Sequence, residues 1–217
     1  MDTESELPTA LEVTTASVHD SEVFPDLLQE HVRHFGEKSL KYVIADAGYD
    51  QLKCYQSAKN YGAQAIIPLN LRNEKEPPEG RTSHGTPVCS MGYEMTYWGA
   101  EGRYLKFRCP HVTGKVDCPH GTIWCSPSNY GMVVKKKVDE DLRRFSIPHR
   151  GSQTWRELYQ ERTCVERCNS RMKTTMTANR LHVRGRQKVK VIALFNAITL
   201  LVHALSTRVK QSKNEAA

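Results

Sequence analysis

The chain has 217 residues, 39% apolar and 25% charged, which suits one domain of moderate size and excludes a chain too polar to build a core. Its formal charge of +7 is uneven: residues 135–190 hold 16 Lys/Arg against 6 Asp/Glu, while residues 1–134 hold 12 against 17. A basic half of this kind fits a polyanionic partner, and a solvated, highly charged helical surface is the other reading.

In chain order, the acidic opening Met-Asp-Thr-Glu-Ser-Glu precedes no apolar run, so no signal peptide is read. Residues 10–18 are rich in β-branched side chains and predict a strand. Asp20 or Ser21 is placed to cap a helix to about His34, with Phe24, Leu27, Leu28, His31 and Val32 inward. Lys41 to Ala45 predicts a short strand ending at Asp46, and Gly48 permits a tight turn before a helix over Gln51 to Asn60. Gln64 to Leu69 predicts a further strand. This alternation implies an α/β sheet with helices packed on it.

From Asn70 to about Arg150 the chain is punctuated by Gly and Pro and carries four of the seven cysteines. It predicts loops with short antiparallel strands, for example Met95 to Trp98 and Tyr104 to Arg108. From Ser152 the pattern is helical again. Val189 to Leu205 has apolar residues at 191, 194, 195, 198, 201, 202 and 205, which predicts a buried amphipathic helix. It falls short of the ~20 residues of a membrane span, so no membrane partner and a cytoplasmic location are expected.

Two features carry chemistry. Tyr159, Arg162, Glu166 and Lys173 are spaced by three, four and seven residues. On a continuous helix at about 100° per residue they fall within roughly 60° of one another. A phenol, a guanidinium, a carboxylate and an ammonium on one face suit a metal ion together with a phosphate chain. Ion pairing of Arg162 with Glu166 is the structural alternative. Asp46 ends an apolar strand, where ligands of open α/β sheets gather. It is a natural Mg²⁺ ligand or, alternatively, a cap for the following helix, for which Asp50 is the better candidate.

Taken together, these residues resemble the DDE transposases of bacterial insertion sequences, in the group with a Tyr-Arg-Glu-Lys signature. Tyr159, Arg162, Glu166 and Lys173 match that signature, and Ala45 to Asp50 resembles the block holding the second acid. Leu11 to Ser21 resembles the strand and turn before it. The resemblance spans roughly residues 7 to 206. It implies an α/β, ribonuclease H-like fold, incomplete at its N-terminus, with a Cys-containing loop and β insertion. Residues 1–69 would be the first part of the catalytic domain, 70–150 the insertion, 151–206 its helical remainder and 207–217 a frayed tail. The implied chemistry is DNA transposition by phosphodiester hydrolysis and strand transfer, with Mg²⁺ or Mn²⁺ held by three acids. Asp46 would be the second acid and Glu166 the third, and Tyr159, Arg162 and Lys173 would meet the DNA of the transposon ends.

The first acid of that set belongs on an earlier strand, and neither Asp2 nor Asp20 lies in the matching block. The expectation is therefore the C-terminal part of a transposase, inactive alone. The alternative is a non-catalytic DNA-binding remnant, or an inhibitor acting on an intact transposase copy. A homodimer is the other expected assembly.

Cys89, Cys109, Cys118 and Cys125 lie within 37 residues. Four thiolates make a candidate tetrahedral zinc site, with His111 and His120 as substitute ligands. None of the pairs has the close spacing that marks such sites, and unligated thiols are the other reading. With no secretory signal, reduced thiols or metal ligation are favoured over disulfides. A zinc-ribbon interaction module on an α/β scaffold is a third reading of the whole chain. Cys54 is read as a helix-packing residue.

Overall fold

The structure is a computed structural model that describes residues 1–71, 74–176 and 178–215. Ala216 and Ala217, at the end of the tail expected to fray, lie outside the described residues. The chain divides into two compact units, one formed by Met1–Leu40 with Gln160–Ala217, the other by Lys41–Tyr159.

In the unit of Lys41–Tyr159 the expected α/β block is present. Strand β1 (Tyr42–Ile44) pairs in parallel with β2 (Gln64–Ile66), and helix α2 (Leu52–Asn60) makes the crossover between them. A parallel pair needs such a crossover. Cys54, Tyr55 and Ala58 form the buried face of α2, and Ile66 and Ile67 are fully buried. The same unit holds an antiparallel sheet in the order β3 (Thr96–Glu101), β4 (Tyr104–Arg108), β5 (Val133–Lys137). Its core is Met95, Leu105, Phe107, Val138 and Phe145. Two of these strands match the expectation. The third, Val-Val-Lys-Lys-Lys, reads in sequence as a charged run; it pairs along its whole length with β4, Phe107 opposite Val134. Between Cys109 and Met132 the chain makes successive turns with no helix or strand, and its ends are joined by the Cys109 N–H donating to the Met132 carbonyl at 2.8 Å.

A buried polar network ties this unit together. The Asp50 carboxylate, fully buried, accepts from the Tyr55 hydroxyl (2.7 Å), the Asn70 backbone N–H (2.6 Å) and the Arg143 guanidinium (2.8 and 2.9 Å). Glu74 then bridges Arg143 and Arg144. Arg150 donates to the carbonyls of Ile67, Arg143 and Arg144 and to Tyr55. Asp50 thus does not cap α2, whose N-cap residue is Gln51, with no side-chain cap bond; the Asp50 charge is spent on partners distant in sequence.

Among the described residues, the unit of Met1–Leu40 and Gln160–Ala217 holds three α-helices. Helix α1 (Asp20–Phe35) runs as expected with Phe24 and Leu28 buried, but its cap is His19, whose Nδ1 accepts from the Ser21 N–H. Helix α4 (Thr163–Thr174) buries Cys164 and Cys168, and α5 runs over Arg186–Glu215. The strand expected over residues 10–18 does not form. β-Branched residues favour a strand only where a neighbour supplies the ladder. Within the segment Glu12 meets Arg186 and Lys190 on α5, and before it Glu6 meets Arg167 and Arg171 on α4.

Helix α5 corrects a second expectation. Its inward residues include Asn196, Ala197 and Leu200, all buried, whereas Val191, Leu194, Phe195, Ile198, Leu201, Val202 and Leu205 are exposed. The helix is apolar around most of its circumference, so periodicity alone does not choose the packing face. Within it, Arg186–Lys210 is long and apolar enough by length and composition to cross a membrane. Core helices of water-soluble proteins pass the same test.

Candidate active-site residues

Asp46 lies just beyond the carboxyl end of β1, exposed to solvent. Its Oδ1 accepts the Gly48 N–H at 2.8 Å and so caps the short 3-10 turn Ala47–Tyr49. A Cβ at position 48 would stand 3.0 Å from that oxygen, which gives Gly48 a packing reason apart from backbone freedom. The capping alternative is therefore realised by Asp46. Capping engages one carboxylate oxygen by a single backbone hydrogen bond and leaves the group at the protein surface.

The expected single helix from 159 to 173 is two helices. Tyr159 belongs to α3 (Gln153–Gln160), stacked on Trp155 with ring centroids 5.1 Å apart. The chain turns at Glu161 and Arg162, and α4 begins at Thr163. At the break the Thr163 hydroxyl donates to the Gln160 carbonyl at 3.0 Å. The hydrogen bonds tighten to three-residue spacing, Cys164 to Glu161 and Val165 to Arg162. Tyr159 therefore does not share one continuous helical face with the other three.

Within α4 and its cap, Arg162 donates to Glu166 Oε1 at 2.6 Å. This is the ion pair foreseen as the structural alternative, and both side chains retain solvent exposure. Such pairs contribute only about 0.3–0.5 kcal/mol, so it is readily exchanged for a stronger partner. Lys173 is exposed near the C-terminal end of α4. Cys164 and Cys168 occupy the opposite, buried side, where burial pushes both thiols up from the usual cysteine range. They are core residues of that unit.

Asp46 belongs to the unit of Lys41–Tyr159 and Glu166 to the other. Exposed carboxylates are hard oxygen donors of the kind Mg²⁺ and Mn²⁺ take. Among the described residues, no three His, Cys, Asp or Glu side chains already gather as a metal-holding group.

Sequence reasoning did not find the partners of Asp50. Arg143 lies 93 residues away and Arg150 reaches Tyr55 across 95. The signal available was a run of arginines near a loop-rich segment, which reads equally as a solvated surface.

The family model described as Transposase DDE domain matches residues 1–202. The chain belongs to that transposase family. Comparison with curated proteins and with solved structures returns no match.

Proposed function

We propose that the chain carries out, or contributes residues to, DNA strand cleavage and transfer in transposition, on a ribonuclease H-like scaffold. The observation that carries this reading is the family match over residues 1–202, which spans both Asp46 and the segment from Tyr159 to Lys173. On this reading Asp46 is the second acid and Glu166 the third. The family is generally dependent on divalent metal; Asp46 and Glu166 would hold an Mg²⁺ or Mn²⁺ ion, which would supply activation of the attacking oxygen and stabilisation of the leaving one.

The chain's own residues then have distinct tasks. The Gly48 N–H fixes the Asp46 carboxylate at the strand end. Arg162 neutralises Glu166 before DNA arrives and afterwards turns its guanidinium toward a phosphate, for which its planar fork is suited. Lys173 supplies a point charge to the DNA backbone, and Tyr159 a phenol for stacking or hydrogen bonding at a DNA end. The Tyr-Arg-Glu-Lys subgroup, the transposon-end substrate, dimeric action and a cytoplasmic location belong to this same proposal. A single apolar helix is not enough to indicate a membrane location.

The second reading is a DNA-binding, non-catalytic member of the family. It is favoured by the engagement of both assigned acids in contacts of their own, Asp46 as a turn cap and Glu166 in an ion pair with Arg162. One experiment separates the two. DNA carrying the element's ends is incubated with the full chain and Mn²⁺, and nicking is compared with the Glu166→Gln variant. The catalytic reading predicts nicking that the variant loses by at least about 100-fold while its DNA binding is retained. Equal nicking by the variant overturns the role of Glu166. Specific binding of those ends without nicking by the parent chain selects the second reading.

A further inference from the structure

Linear spacing leaves the four cysteines of the loop-rich segment without a recognisable ligand pattern. Cys89, Cys109, Cys118 and Cys125 line one pocket together with His111 and Trp124. They arrive from separate places: Cys89 from the loop before β3, Cys109 from the end of β4, and the other two from the long connection to β5. All four are free thiols.

From these thiols we infer a structural zinc site of four cysteinates closing the connection between β4 and β5. Two observations support it. First, that connection contains no helix or strand from Pro110 to Gly131 and buries little apolar surface: Ile123 is 90% exposed, Tyr130 67% and Trp124 56%. A loop of this length inside a compact unit needs a fastener other than a core. Second, the pocket residues sit in like turns. The carbonyls of Cys89, His111 and Cys118 each accept from a glycine three residues on, Gly92, Gly114 and Gly121, at 2.8, 2.9 and 3.0 Å. Those glycines have φ of 79°, 73° and 60°, conformations that L side chains rarely adopt.

His111 is assigned as a positioning residue. Its Nδ1 lies 3.2 Å from the Cys118 N–H and 3.3 Å from the Val116 carbonyl, so that nitrogen is engaged by the backbone next to a ligand. Gly131 also has a defined part: a Cβ there would stand 2.7 Å from the Cys109 Cβ and 2.9 Å from a Val112 methyl. Ligation requires the four Sγ atoms to close to about 2.3 Å from one centre. This goes beyond their present arrangement, in which no three described ligating side chains form a group. Soft thiolates select zinc over the hard ions of the proposed DNA chemistry.

The test uses the full chain purified without chelator. Metal analysis should find about one equivalent of zinc per chain. Exchange into Co²⁺ should give the intense sulfur-to-cobalt absorption of a thiolate-rich tetrahedral site. Cys118→Ser should weaken that absorption, and Cys54→Ala, a buried α2 residue outside the pocket, should leave it unchanged. Less than about a tenth of an equivalent of zinc after zinc supplementation, with no cobalt–thiolate absorption, overturns the proposal. An absorption that survives Cys118→Ser in full removes that residue from the site and with it the four-cysteine assignment.

Discussion

At the scale of single residues, local chemistry decided which of two roles a side chain took. Asp46 caps its own turn and still presents a carboxylate to solvent. Asp50, four residues on, is consumed by the interior. Both were visible in sequence as acids after a strand, but nothing local distinguishes them, because Arg143 and Asn70 reach Asp50 only through the fold. His149 offers a residue-scale prediction. Its ring stacks on Tyr97 at 4.2 Å and meets Phe107 edge-on, and burial pushes its pKa down to about 4 from 6.5, with Arg150 adding to the depression and Glu94 opposing it. The folded-state value lies below the unfolded one. The contribution of His149 is therefore intact above about pH 6.5 and is lost progressively as pH falls toward 4, where the unfolded chain is protonated and the folded chain is not. The loss amounts to about 3 kcal/mol at its full extent. Denaturant unfolding between those pH values should show this slope in the parent and not in His149→Phe; an equal slope in both excludes His149 as its source.

At the scale of elements, the legible parts were those set by short-range pattern. The block from Lys41 to Ile66 followed from a strand, a glycine turn, a helical period and a second strand, all read within 26 residues. The less legible parts depended on partners. Residues 10–18 have strand-forming side chains but no ladder, and β5 looks like solvated charge until Phe107 and Leu105 of β4 are set beside it. The break between α3 and α4 falls at Glu161 and Arg162, in a stretch whose spacing reads as one helix. Helix α5 shows the limit of amphipathic reading, since its broad apolar surface offers more than one face. Its orientation makes a clear forecast. Leu200→Ala, at a 7% exposed position, should cost about 2–3 kcal/mol of stability, while Phe195→Ala, at 64% exposure, should change it by less than about 0.5 kcal/mol. Thermal or denaturant unfolding decides this, and the reverse order would restore the face expected from sequence.

At the scale of the whole molecule, membership of the transposase DDE family is what motivates the role proposed for the two acids. Without it, Asp46 is a turn cap and Glu166 half of a surface ion pair. With it, each is an exposed hard donor held in place by a single exchangeable contact. The resemblance visible in sequence rested on the spacing of four residues, and the structure retains three of them on or next to one helix while moving Tyr159 to another. The cysteines show the opposite case: the sequence offered the four as a candidate zinc set without close ligand spacing, and the fold lines one pocket with them. The most direct measurement for the central claim is Mn²⁺ binding followed by electron paramagnetic resonance, on the full chain first saturated with zinc so that the thiols do not compete. Asp46→Asn and Glu166→Gln are titrated beside the parent, with circular dichroism to confirm that each is folded. The account predicts that the parent binds Mn²⁺ and that each variant binds about tenfold more weakly or worse. Variants that bind Mn²⁺ as the parent does would contradict it.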